Sequence, residues 1–294
     1  MKKLIISEFK EFLINEKNVS RSTLDSYIRD ITKFSEFIEH EKSDLISAGR
    51  GDILAYILHM QDGGKANTSV MRAVASIKSL YTFLISKGTV HINPASGITP
   101  PKREQKMPHF LDREEIERLL CCPDTNCKRG LRDKAILEIM YASGLKVTEL
   151  ISLDVNDVDT DLGYLKCTKG ANIRIVPLGK PAVSALKAYI SVARPVMTTP
   201  DETALFVNCS TGCAMSRQGL WKLIKEYAEK SGIRKSITPH SLRHSFAVHL
   251  MENGADLLSI QEMLGHKDAS TTQMYARMFH SRLREVYNKA HPRA

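Results

Sequence analysis

The densest group of chemically capable side chains lies in nine residues, Thr238-Pro239-His240-Ser241-Leu242-Arg243-His244-Ser245-Phe246. Threonine is a good N-cap and proline suits the first helical position, so the segment predicts a helix starting at Thr238 and Pro239. On that helix His240 and Arg243 stand one turn apart, and Leu242 and Phe246 form the buried stripe. An imidazole and a guanidinium near a helix N-terminus, where unpaired N–H groups favour an anion, have the makings of a phosphate site. A rival chemistry takes His240 and His244, four residues apart, as zinc ligands. The metalloprotease form of that motif needs glutamate after the first histidine, and Ser241 stands there instead. A surface helix with incidental histidines is the third reading of this segment on its own.

Further along, Ile260, Met263 and Leu264 predict a helix closed by Gly265, with His266 in the following turn. Nine residues later comes Tyr275, on a segment that Ser270 could cap. A lone tyrosine more often packs than reacts.

The elements that must position these groups divide the chain in two. In the second part, 164–168 and 173–176 are short runs rich in β-branched and aromatic residues, joined by Lys169, Gly170, Ala171 and Asn172 as a hairpin tip, with Phe206 and Val207 as a third strand. Helices surround this small antiparallel sheet. The first part reads as helices only. Leu24, Tyr27, Ile28, Ile31, Phe34 and Phe37 recur at helical spacing behind Ser20 or Ser22 as N-cap, and Val70, Val74, Ile77, Tyr81 and Leu84 do so ahead of Gly88. Shorter segments around Ile5 to Ile14 and Ile53 to Met60 complete a four-helix unit. Between the two parts, 93–108 holds Pro94, Pro100, Pro101 and Pro108, which no helix can cross. The expectation is therefore a helical domain at 1–92, an extended linker at 93–108 and a mixed domain at 109–294: mainly α with a small antiparallel sheet.

A length of 294 residues fits two domains, and 42 basic against 33 acidic residues give a net charge of +9, which leans towards polyanions. The charge is uneven. Lys65, Arg72, Lys78, Lys87, Lys102, Arg103 and Lys106 face Glu104 alone in their stretch; past Tyr275, Arg277, Arg282, Arg284, Lys289 and Arg293 face Glu285 alone. Basic stretches in both halves point to a nucleic acid between them. Charges interrupt the apolar residues at the start, and no apolar run reaches membrane-spanning length, so a soluble, cytoplasmic protein is expected. The six cysteines include no C-x-x-C pair and read as reduced thiols; Cys209 and Cys213 lack the second pair that a zinc site would need.

Taken in order, His240 to Arg243, Leu264-Gly265-His266 and Tyr275 resemble the tyrosine recombinase (phage integrase) family, which carries H-x-x-R, then L-G-H, then a nucleophilic tyrosine. The resemblance extends through Tyr141-Ala142-Ser143-Gly144-Leu145-Lys146-Val147-Thr148-Glu149-Leu150, through Lys169 and back to the helical unit. The length and the ending His291-Pro292-Arg293-Ala294 are similar to the Xer type within the family. It implies a four-helix, SAM-like core-binding domain followed by the family's α+β catalytic domain, clamping a duplex. It also implies strand cleavage and rejoining through a 3′-phosphotyrosyl intermediate, with no metal or energy cofactor, because the covalent bond keeps the phosphodiester energy. In that scheme Tyr275 is the nucleophile and His240 takes its proton. Arg243, His266 and Lys146 stabilise the phosphorus centre, Lys169 protonates the leaving 5′ oxygen, and Glu149 orients the first cation. Lys65, Arg72, Lys78, Lys102 and Arg103 would touch DNA phosphates.

One position departs from the family's G-L-R-x-x-E-L box: Lys146 stands where that box has arginine. Lysine keeps the charge and loses the planar fork. An active natural variant and a substitution that slows cleavage both fit. The implied partners are a double-stranded recombination site, a homo- or heterotetramer with a second Xer-like recombinase on two sites, and an FtsK-type translocase, in chromosome dimer resolution linked to cell division. The alternatives are a mobile-element integrase of the same family, a type IB topoisomerase, and a DNA-binding protein with weakened catalysis.

Overall fold

The computed structural model describes residues 2–41, 43–101, 109–169 and 172–265, and the chain divides into two compact units, Met1–Lys106 and Met107–Ala294. The first unit is built from α1 (Lys2–Asn15), α2 (Arg21–His40), α3 (Arg50–Asp62) and α4 (Asn67–Ser86). Ser20 caps α2 by accepting the Thr23 N–H at 3.3 Å. Leu24, Ile31, Phe34 and Ile38 are buried along one side of α2, as the spacing requires. Every apolar residue of the Val70 to Leu84 stripe on α4 is buried, and Phe12 and Phe83 close the core with ring centroids 5.2 Å apart. Each such side chain contributes about 1.5–3 kcal/mol on leaving water.

The helical unit runs further than its helices. Ala95 and Ile98, which the prolines assign to the linker, are buried in the same core. Asn93 accepts the Ala95 N–H and donates to the Lys78 carbonyl at 3.1 Å, while Lys78 Nζ donates to the Ile98 carbonyl at 2.9 Å. Proline stops a helix but not a turn, and two apolar residues three apart give that turn something to bury. The segment 93–98 is thus part of the helical unit rather than of an extended linker. Residues 102–108 lie outside the described residues.

The second unit comprises α5 (Arg113–Cys121), α6 (Lys128–Ser143), α7 (Val147–Ile151), β1 (Val158–Asp159), β2 (Tyr164–Lys169), β3 (Asn172–Pro177), α8 (Lys180–Ala188), α9 (Arg217–Lys230), α10 (Pro239–Glu252) and α11 (Leu257–Leu264). The three strands form an antiparallel sheet in the order β1-β2-β3, with Cys167 opposite Arg174 and Lys169 opposite Asn172. The third strand is therefore β1 and not Phe206–Val207. The backbone around Phe206 is claimed by other groups: Tyr189 Oη donates to the Leu205 carbonyl at 2.9 Å, Arg132 to the Val207 carbonyl at 2.9 Å, and the Leu205 N–H to the Leu153 carbonyl at 2.7 Å. Phe206 itself stacks on Tyr189 in the core.

α6 runs through the middle of this unit, and Asp133 on it is fully buried yet satisfied by Arg132, Arg129 and the Tyr227 hydroxyl. Burying a carboxyl group is costly unless it is paired and hydrogen-bonded in this way. A smaller apolar cluster of Phe246, Ala247, Val248, Ile260 and Leu264 lies between α10 and α11. Among the described residues no helix is long and apolar enough to cross a membrane, and all six cysteines are free thiols.

Candidate active site

The loop after α6 sets the first part of the site. α6 ends at Gly144, whose φ of +57° belongs to the left-handed region, and a Cβ there would stand 2.5 Å from Phe246 Cδ1 and 2.8 Å from Leu264 Cδ2. Only glycine meets both demands. Two residues on, Lys146 occupies the N-cap of α7, and its backbone N–H donates to Glu149 Oε2 at 2.9 Å. Glu149 thus holds the main chain at Lys146. Burial alone would raise the Glu149 pKa; the Lys146 N–H and then the Arg174 charge outweigh it, and the carboxyl stays below its ordinary range.

α10 supplies the second part. Thr238 accepts the Ser241 N–H at 3.3 Å, Pro239 opens the helix, and Leu242 and Phe246 are buried. Arg243, one turn in, is 3% exposed. It donates through Nη1 to the Gly144 carbonyl and through Nη2 to the Leu264 carbonyl at 2.8 Å. One guanidinium therefore joins the chain two residues before Lys146 to the chain two residues before His266. Such a bond to a charged donor contributes about 1.5–3 kcal/mol when buried.

His240 stands exposed at the start of α10, within the field of both cations. Partial burial, then Arg243 and Lys146, lower its pKa. The ring is consequently neutral at neutral pH and able to accept a proton. His244 lies deeper; burial, then His240 and Arg243, push its pKa down to about 4. The two imidazole centroids are 6.5 Å apart, and no group of three or more metal-ligating side chains occurs among the described residues, so the pair has no third ligand there.

Of the remaining site residues, Lys169 ends β2, while its side chain, His266 and Tyr275 lie outside what is described. Among the expected phosphate contacts, Lys65 is exposed. Arg72 is turned inward to the buried carboxylate of Asp30 through two bonds of 2.8 and 2.9 Å, and Lys78 is held by the Ile98 carbonyl. Lys102 and Arg103 lie outside the described residues.

Sequence reasoning missed one contributor, Arg174 on β3. Its guanidinium donates to Glu149 at 3.2 Å and to the Leu264 carbonyl at 3.1 Å, the same oxygen that Arg243 binds. Gly265, at φ +62°, accommodates it: a Cβ there would collide with Arg174 Nη1. No motif announces this arginine. The one available signal is a charge inside a short apolar strand, between Ile173 and Ile175.

The model of the phage integrase family matches residues 109–282, and that of the phage integrase N-terminal SAM-like domain matches residues 6–88. The chain belongs to the phage integrase family. It is a site-specific tyrosine recombinase, an enzyme that transfers DNA strands. It is 42% identical over 294 residues to a tyrosine recombinase XerD of Listeria innocua, with 99% of each chain covered. It is 44% identical over 296 residues to one of Oceanobacillus iheyensis, with 98% of each covered. Among solved structures, the XerH site-specific recombinase bound to a palindromic difH substrate aligns with a TM-score of 0.76 at 23% identity, over 96% of this chain and 83% of that one, a likeness of fold. Two of the recombinase's motif segments, Gly144 to Glu149 and His240 to Arg243, are tied together by Arg243.

Proposed function

We propose that this recombinase breaks one strand of a duplex by attack of the Tyr275 phenolate on phosphorus, forming a 3′-phosphotyrosyl bond as the bond from phosphorus to the 5′ oxygen breaks. The phenol, with an ordinary pKa of about 10, gives its proton to His240. The 5′ oxygen takes a proton from Lys169, and the negative charge gathered at phosphorus is met by Arg243, Lys146 and His266. Rejoining reverses each transfer, so the step balances without a cofactor. The observation that supports this reading best is the convergence at His240: a neutral imidazole, a buried guanidinium and the Lys146 ammonium come from segments about a hundred residues apart in sequence and act on one another.

Identity above 40% along the whole length to proteins named XerD supports a chromosomal role over a mobile-element one. We therefore assign it to dimer resolution in the cytoplasm, with four protomers on two sites, a second Xer-like recombinase in the assembly and control by an FtsK-type translocase. Lys146 supports DNA binding and slower cleavage than arginine would give.

The test is incubation with a duplex carrying a candidate chromosomal site and a nick that traps the cleaved strand. Covalent attachment at one sequence, mapped to Tyr275, supports the reading. Sequence-tolerant relaxation of supercoiled DNA would assign a topoisomerase, and binding without attachment an inactive protein.

A further inference from the structure

Arg174 breaks the pattern of its own strand. On β3 the apolar Ile173 and Ile175 are 59% and 64% exposed, while the arginine between them turns inward, its side chain 16% exposed. A two-residue alternation normally does the reverse, and local rules are broken where function requires it. The cost is visible: Arg174 Nε is buried with no hydrogen-bond partner among the described residues. Its two terminal nitrogens, in contrast, meet two oxygens that belong to the site.

We propose that Arg174 is a positioning residue for strand cleavage, holding the β2–β3 hairpin, and Lys169 with it, in register with the other segments of the site. The inference rests on the proposed role of Lys169 as general acid. Three fixed points carry it. Arg174 sits directly opposite Cys167, two residues before Lys169 on the paired strand. Through Glu149 it reaches the carboxylate that holds the Lys146 N–H. Through the Leu264 carbonyl it shares an anchor with Arg243 and closes against Gly265. Hairpin, α7 start and α11 end thus meet at one planar fork. A hairpin tip freed from this point samples positions from which an ammonium cannot reach the leaving oxygen, and displacements of about an ångström cost about a hundredfold in rate.

The experiment compares Arg174→Gln and Arg174→Lys with the unaltered protein on two nicked duplexes. One carries the natural 5′ oxygen at the scissile phosphate; the other carries sulfur there, a leaving group that departs without being protonated. Arg174→Gln is expected to cleave the oxygen duplex at least tenfold more slowly and the sulfur duplex within about threefold of the unaltered rate, with DNA binding preserved and Arg174→Lys intermediate. Unchanged cleavage of the oxygen duplex overturns the proposal, as does equal slowing on both. Should Arg174→Gln fail to fold by its melting profile, Arg174→Lys carries the same comparison. A Lys169→Ala arm separates the two ideas: if sulfur does not rescue it, the general-acid reading fails and the proposal with it.

Discussion

Phe246 lies against the α-carbon of Gly144, leaving no room for even a methyl group between α10 and the end of α6. The contact stacks two requirements, a left-handed backbone and a close approach, on the residue whose carbonyl receives Arg243. Gly144→Ala is expected to lower stability by about 2–4 kcal/mol, the sum of the left-handed and overpacking costs. Denaturant unfolding of the variant checks this, and a change below about 1 kcal/mol would count against it.

Lys146→Arg restores a fork where a point charge now stands. Single-turnover cleavage of a nicked duplex is expected to speed up by about tenfold or more, since a donor aimed at a developing oxyanion is worth at least that. DNA affinity should hardly change. An unaltered rate would show that the ammonium already does the work of the guanidinium.

His244 makes stability depend on acid. Its pKa in the folded protein is about 4 against an ordinary 6.5, so the unfolded chain binds the extra proton first as pH falls. The stabilisation is complete above pH 6.5 and is lost on the way down to about pH 4, on the order of 2 kcal/mol at pH 4.5. His244→Gln should flatten that part of the profile, measured as melting temperature at pH 7 and pH 4.5.

Arg72 and Lys65 should behave differently although both were expected to touch phosphate. Arg72→Ala strands the buried Asp30 carboxylate and is expected to cost about 1–2 kcal/mol, discounted because Arg72 itself is 42% exposed. Lys65→Ala should leave stability within about 0.5 kcal/mol and reduce the slope of log affinity against log salt by about one. Thermal melts and binding titrations at several salt concentrations separate the two.

Tyr275→Phe removes the phenolic oxygen and nothing else. Duplex binding should persist while covalent attachment disappears, read on a denaturing gel. Residual attachment at another residue would displace Tyr275 from its role.

What the sequence disclosed, and what it hid, follows from how local each signal is. Thr238 and Pro239 announce α10 because capping is settled within four residues. The stripe from Val70 to Leu84 announces α4 because burial repeats every turn. The turn at 93–98 was hidden: the four prolines of 93–108 dominate the reading, and only the finished core shows that Ala95 and Ile98 have somewhere to go. Phe206 and Val207 look like a strand, yet the backbone bonds at 205–207 go to Tyr189, Leu153, Met215 and Arg132, most of them distant in sequence and silent to any periodic reading. Arg174 was least legible, because its neighbours invite the opposite facing. His240 and Arg243 declared themselves by spacing, but not that Arg243 would bind Gly144 and Leu264.

The separateness of the cluster between α10 and α11 bears on how the enzyme breathes. An eight-residue helix has too few turns to persist in water by itself, so α11 stays formed through a small apolar patch and two guanidinium bonds at its last carbonyl. Detaching it exposes that patch and leaves the main interior of the second unit untouched. Amide protons of α11 should therefore exchange with solvent through partial openings, well ahead of those in α6, and any group that draws either arginine away will hasten them.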